Sequence, residues 1–184
     1  MTTFGRYWFA AVAAGVAGLA GLFAIARGRP ASNVTYKHGP QVWEFFWFAV
    51  KDGPMLVEVD GNPFPIEAPD LAGQVALAMK SAFSEPFVAF TSSARHAAHP
   101  DYRVIWTINP APGYDAAAVC GERRPPAASP LGDRLEMRAA FCQAGRLLAA
   151  VHGWMPAAKA RPDSPAWRRL IAQMARQLVS PEGL

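Results

Sequence analysis

Cysteine is scarce. The chain has two, Cys120 and Cys142. A pair excludes a disulfide-dense scaffold, the spacing excludes a C-x-x-C redox centre, and no third and fourth ligand completes a zinc site. In an exported domain an even pair reads as one disulfide, worth roughly 3 kcal/mol by restricting the unfolded chain. The alternative is two buried free thiols. Signature loops are missing as well. There is no G-x-S-x-G elbow, no G-x-G-x-x-G turn and no phosphate-binding P-loop, so the common hydrolase and nucleotide-binding chemistries have no foothold. No internal repeat is visible. We therefore expect no catalytic residues, no metal and no cofactor.

Charge is thin too, at 17% of residues, and Lys is rare, 4 against 14 Arg. That bias fits a GC-rich bacterial genome. The net charge of +4 is uneven. Residues 27–119 carry seven basic and nine acidic side chains; residues 120–184 carry ten and five. The basic half has no aromatic-interleaved Arg motif, which argues against nucleic acid. A solvated face is expected there, with anionic lipid or an acidic partner as the alternative.

What the chain does have is an uncharged apolar run, Trp8 to Ala26, preceded by Arg6 and Tyr7. As a helix it would cover roughly 28 Å at 1.5 Å per residue, close to a hydrocarbon core of about 30 Å. Two readings compete. Arg6 and the A-x-A site Ala24-Ile25-Ala26 suit a cleaved secretory signal. Tyr7, Trp8 and Phe9 as an interfacial belt, with Arg27 and Arg29 beyond, suit a retained anchor. Ala10, Ala14 and Gly18, with Ala17 and Gly21, form the small-xxx-small pattern that lets membrane helices pack closely. Counting positive charges slightly favours a cytoplasmic domain. The A-x-A site and the cysteines outweigh it and favour export.

Residues 28–39 are expected as a linker, and Pro40 to Lys51 as a short helix. Val42, Phe45, Phe46 and Ala49 follow helical spacing, while Trp43, Trp47 and Phe48 add a second apolar side. Such a segment packs in a core or meets a partner or a membrane surface; Trp43, Phe46, Trp47 and Phe48 are the candidate contacts. Strands are expected at Met55–Val59, Phe87–Thr91 and Tyr102–Asn109, a short one at Ala116–Cys120, and helices at Asp70–Phe83 and after Ser164, with Pro165 in the first turn. Gly121 to Gly132, with three Pro and two adjacent Arg, reads as a loop. Arg134–Gln143 and Arg146–His152 read as a hairpin whose Gly145 takes positive φ. Leu135, Met137, Ala139 and Phe141 share one face with Leu147, Ala149 and Val151. Cys142 lies on the opposite face and meets Cys120 only if that segment runs beside the hairpin.

Polar clusters are weak signals. His96, His99 and Asp101 sit in a loop that fixes no ligand geometry. Asp52, Glu58, Asp60, Glu67 and Asp70 group around the first strand and read as solvated edges rather than an acid–base pair. His152 reads as a structural residue at a strand end.

The stretch Asp52-Gly-Pro-Met-Leu-Val-Glu-Val-Asp-Gly-Asn-Pro-Phe64, the strand Tyr102-Arg-Val-Ile-Trp-Thr-Ile-Asn-Pro110 and Ala139-Ala-Phe-Cys-Gln143 resemble uncharacterised envelope proteins of alphaproteobacteria. The element order also resembles small α+β domains of envelope lipoproteins such as penicillin-binding-protein activators. Their lipobox cysteine is missing here, so an apolar helix would have to replace the lipid. The resemblance carries no functional residue across.

The expectation is thus an α+β protein. A transmembrane or signal helix (1–27) and a linker (28–39) precede one domain (40–184), with a mixed or antiparallel sheet of about four to five strands and helices on one face. The expected role is that of a non-catalytic subunit or assembly factor of an integral membrane protein complex. It would sit in a bacterial inner membrane with a single pass and its domain in the periplasm, contacting the lipid bilayer and no nucleic acid. The alternatives are a soluble periplasmic ligand-binding protein released after Ala26, and an enzyme of unrecognised type.

Overall fold

The computed structural model describes residues 30–121 and 132–180. The apolar run, its packing positions Ala10, Ala14, Ala17, Gly18 and Gly21, and most of the Pro- and Arg-bearing loop lie outside them. None of the described helices is long and apolar enough to cross a membrane.

Alternation builds the centre of the fold. In the strand Tyr102–Ile108, Tyr102, Val104, Trp106 and Ile108 enter the main core and Ile105 faces the other way, as period-two spacing dictates. In Arg134–Gln143, Leu135, Met137, Ala139 and Phe141 join that core, while Ala140 and Cys142 face Ile105's side. In chain order the described strands are β1 (Ala31–Lys37), β2 (Met55–Asp60), β3 (Phe90–Thr91), β4 (Tyr102–Ile108), β5 (Arg134–Gln143) and β6 (Arg146–Pro156). The helices are α1 (Val42–Val50), α2 (Ala68–Lys80), α3 (Ala116–Cys120) and α4 (Pro165–Val179).

The sheet is mixed and six-stranded, in the order β1-β6-β5-β4-β2-β3. β1, β6, β5 and β4 run antiparallel in turn, and β4, β2 and β3 are parallel. The chain is α+β, as expected, with more strands than expected. The extra strand is β1, in the segment expected as linker: residues 31–37 pair with β6. Ser32 Oγ donates to Gln177 Oε1 of α4 at 2.7 Å, tying the edge to the helix layer.

α1, α2 and α4 cover one face. Pro165 opens α4, and Ser164 caps it by accepting the Trp167 N–H at 3.1 Å. Trp167, Leu170, Ile171, Met174 and Leu178 are all buried. Gly153 lets α4 lie close to β6, since a Cβ there would strike the Met174 thioether. Under this layer lie Trp106, Trp167, Phe46 and Phe141, each fully buried. At about 1.5–3 kcal/mol per large apolar side chain, the cluster on this face supplies more hydrophobic stabilisation than the five-residue cluster on the other.

Four local expectations are corrected. Ala116–Cys120 is a helix, because Asp115 Oδ1 accepts the Ala117 N–H at 2.9 Å and starts a turn. The positive φ of the hairpin falls on Ala144 (+49°), whose N–H donates to Asp101 O at 2.6 Å. The ladder slips between Phe141 and Cys142. One extra residue then turns Leu148 into the main core and leaves Leu147 on the other face, as a bulge does. Finally, β6 runs on to Pro156, so His152 lies mid-strand.

Candidate functional site

The face away from the three long helices carries the polar side chains. Cross-strand register puts Asp60 beside Thr107, Thr107 beside Arg138, Arg138 beside His152 and His152 beside Asn33. Directly paired residues share a face, so these five form one polar row across β2, β4, β5, β6 and β1. The adjacent row, Glu58, Ile105, Ala140 and Ala150, is apolar in its middle. α3 sits on this apolar part and is bonded to it: Cys120 joins Cys142 in the disulfide that the two lone cysteines suggested. Arg103 Nη2 donates to Cys120 O at 3.0 Å and its Nε stands 3.4 Å from Glu58 Oε2.

Tyr114, just before α3, leans over the polar row, with the Arg138 guanidinium 5.8 Å from its ring centre. Burial pushes the Tyr114 hydroxyl above its usual 10; Thr107 and Arg138 work against that rise, and Asp60 and Asp115 reinforce it. Neither Tyr114 Oη nor Thr107 Oγ1 closes a hydrogen bond of good geometry among the described residues. His152 is shifted the other way. Burial lowers it from 6.5 and Arg138 lowers it further, against the opposing pull of Glu136, whose Oε2 lies 3.6 Å from His152 Nε2. At neutral pH this strip therefore offers a protonated phenol, a neutral imidazole and a fixed guanidinium. That set donates hydrogen bonds, and Arg138 is its positive charge, with Asp60 at the β2 end of the row and Glu136 beside His152 as the negative ones; with both cysteines bonded, it presents no thiol nucleophile.

Beside the row is a cleft of about 730 Å³. Thr35, Tyr36 and His38 form one wall, Tyr114 to Ala117 the other, and Leu147 and Ala150 the floor; Arg138 and Arg146 also line it. Arg146 Nη2 contacts His38 Nε2.

Of the residues singled out from the sequence, Glu58, Asp60, His152 and the two cysteines fall on this face, and the rest lie elsewhere. Phe46 is buried to 0% exposure and stacks on Phe83 at 4.9 Å, so it is a core residue and no partner contact. Trp43 and Trp47 are half-buried, their rings 4.8 Å apart. Phe48 is 43% exposed, flanked by Lys51 and His99. Phe87, which helical spacing did not flag, is 52% exposed and stands 5.3 Å from Trp47. His99 Nε2 pairs with Asp52 Oδ2 at 3.0 Å while His96 is exposed. Among the described residues no three His, Cys, Asp or Glu side chains converge as metal ligands. The polar row, as a row, escaped the sequence reading, in which Asp60 stands as a solvated edge and His152 as a structural residue at a strand end; Thr107 and Arg138 add only their outward positions on alternating strands.

No protein-family model matches the chain, and no curated protein sequence matches it. Among solved structures it is similar to the PelC dodecamer from Paraburkholderia phytofirmans, with a TM-score of 0.40 and 11% identity over 83% of this chain and 96% of that one. A substituted form of the same protein gives 0.39 and 9% over 83% and 95%.

Proposed function

We propose that this chain is an exported, non-catalytic accessory domain, tethered to a bacterial inner membrane by the apolar run and docking in the periplasm onto an integral membrane complex. The observation that carries this reading is the disulfide. Cys120–Cys142 fastens α3 to the sheet, and such structural bonds belong to oxidising compartments. The run Trp8–Ala26 supplies the tether, with Ala10, Ala14, Ala17, Gly18 and Gly21 as its packing surface. Phe48 and Phe87, with Trp43 and Trp47 beside them, supply an aromatic contact surface on the domain.

The test is purification of the full chain in mild detergent, reading intact mass and co-purifying proteins from one sample. An intact chain with stoichiometric membrane proteins is expected. A chain starting at Arg27, soluble and alone, overturns the tether and the docking together. The cleft beneath Tyr114 favours a second reading, a ligand-binding domain released after Ala26, and that outcome would select it.

A further inference from the structure

We propose that the cleft between β1 and α3 binds a small, elongated organic dianion, with one acid group at Arg138 and the other at Arg146. This does not rest on membrane attachment. Both guanidiniums line the cleft, and among the described residues neither has a carboxylate partner within ion-pair distance. Arg138 Nε is buried with no hydrogen-bond partner among the described residues, a costly state that an anion would relieve. Among the described residues the one carboxylate in the lining, Asp115, is already turned to the start of α3, where Oδ1 accepts the Ala117 N–H at 2.9 Å. His38 steadies Arg146 from the β1 side.

The shape of the site selects the ligand. Arg138 pairs with His152, and Arg146 pairs with Gln143, five residues along β5 from Arg138, a backbone distance of about 17 Å at 3.4 Å per residue from which both long side chains reach into the cleft. A single acid group would engage one end only. Between the ends the lining is small and apolar, Leu147, Ala150, Ala116 and Ala117, so the middle of the ligand is uncharged. A guanidinium fork takes carboxylate and phosphate alike, so the shared chemistry is a terminal acid at each end.

Calorimetric titration of the full-length chain in detergent tests this with suberate and hexane bisphosphate as two-headed probes, and butyrate and inorganic phosphate as one-headed ones. One two-headed probe is expected to saturate at one per chain and to bind more tightly than its one-headed counterpart. Whichever does so identifies the acid. Arg138→Gln and Arg146→Gln should each weaken it about tenfold or more. Ala117→Trp should block it, and Arg168→Gln/Arg169→Gln on α4 should leave it unchanged. Arg146 and Ala117 are exposed, so their variants decide the matter even if Arg138→Gln folds poorly. No saturable binding of either two-headed probe, equal affinity for the one-headed probes, or equal weakening by the α4 pair overturns the proposal.

Discussion

The two faces of the sheet are built on different principles. One is sealed by three helices and holds Trp106, Trp167, Phe46 and Phe141 out of water. The other carries a five-residue helix, a covalent bond and a row of polar side chains. The first face stabilises by area; the second is held by a cross-link and leaves its chemistry near the surface. A domain that sealed both faces would be more stable and would have no cleft.

The sharpest way to break this contrast is to cut into each face. Trp106→Ala should cost about 3–5 kcal/mol, read by urea denaturation, because it leaves a large cavity in a close-packed layer. Replacing Cys120 and Cys142 by Ala should cost roughly 3 kcal/mol, with the same loss on reduction of the wild type and none on reduction of the variant. A cost clearly above that of Trp106→Ala would mean that the second face carries the fold more than the first. Gly153→Ala probes the seam between β6 and α4 and should cost about 1–3 kcal/mol by overpacking against Met174. Adding Met174→Ala should make the pair less than additive in a double-mutant cycle.

A subtler test uses pH. His152 titrates lower in the fold than in the unfolded chain, chiefly through burial. The unfolded state then binds more protons below about 6.5, so stability is full above that pH and falls as pH drops toward the folded value. His152→Gln should remove that slope from melting curves recorded between about pH 7 and 5. The smallest effect is expected on the outer aromatics. Phe48→Ser and Phe87→Ser should each change stability by within about 0.5 kcal/mol while weakening recovery of membrane partners. Unchanged recovery would remove these residues from the contact surface.

The sequence was legible where the physics is local. The alternation in Tyr102–Ile108 and the Ser164 cap with the α4 stripe both stand in the structure where spacing put them. The cysteine pair is joined as its count suggested. Two misreadings have distinct causes. Ala116–Cys120 has the composition of a short strand, and it is the Asp115 cap before it that starts a helical turn instead. β1 offers a short signal: in Ala-Ser-Asn-Val-Thr-Tyr-Lys only Val34, Thr35 and Tyr36 favour a strand, none of its residues is buried, and pairing with β6 gives it its partner. The polar row depended on register, which no local pattern fixes; Asp60, Thr107, Arg138 and His152 come from four strands.

The pairing of β1 also shortens a leash. Had residues 28–39 been free, the domain could have drifted about 50 Å from the end of the apolar run, at up to 3.6 Å per residue. With Ala31 already in the ladder, its Cα can stand no more than about 18 Å from that of Ala26 on the same scale. Whatever grips the apolar run therefore also restricts where the sheet's β1 edge can be. If the run is held in a bilayer, as proposed, the β1 edge stays within that reach of it while the rest of the domain can still pivot about Ala31.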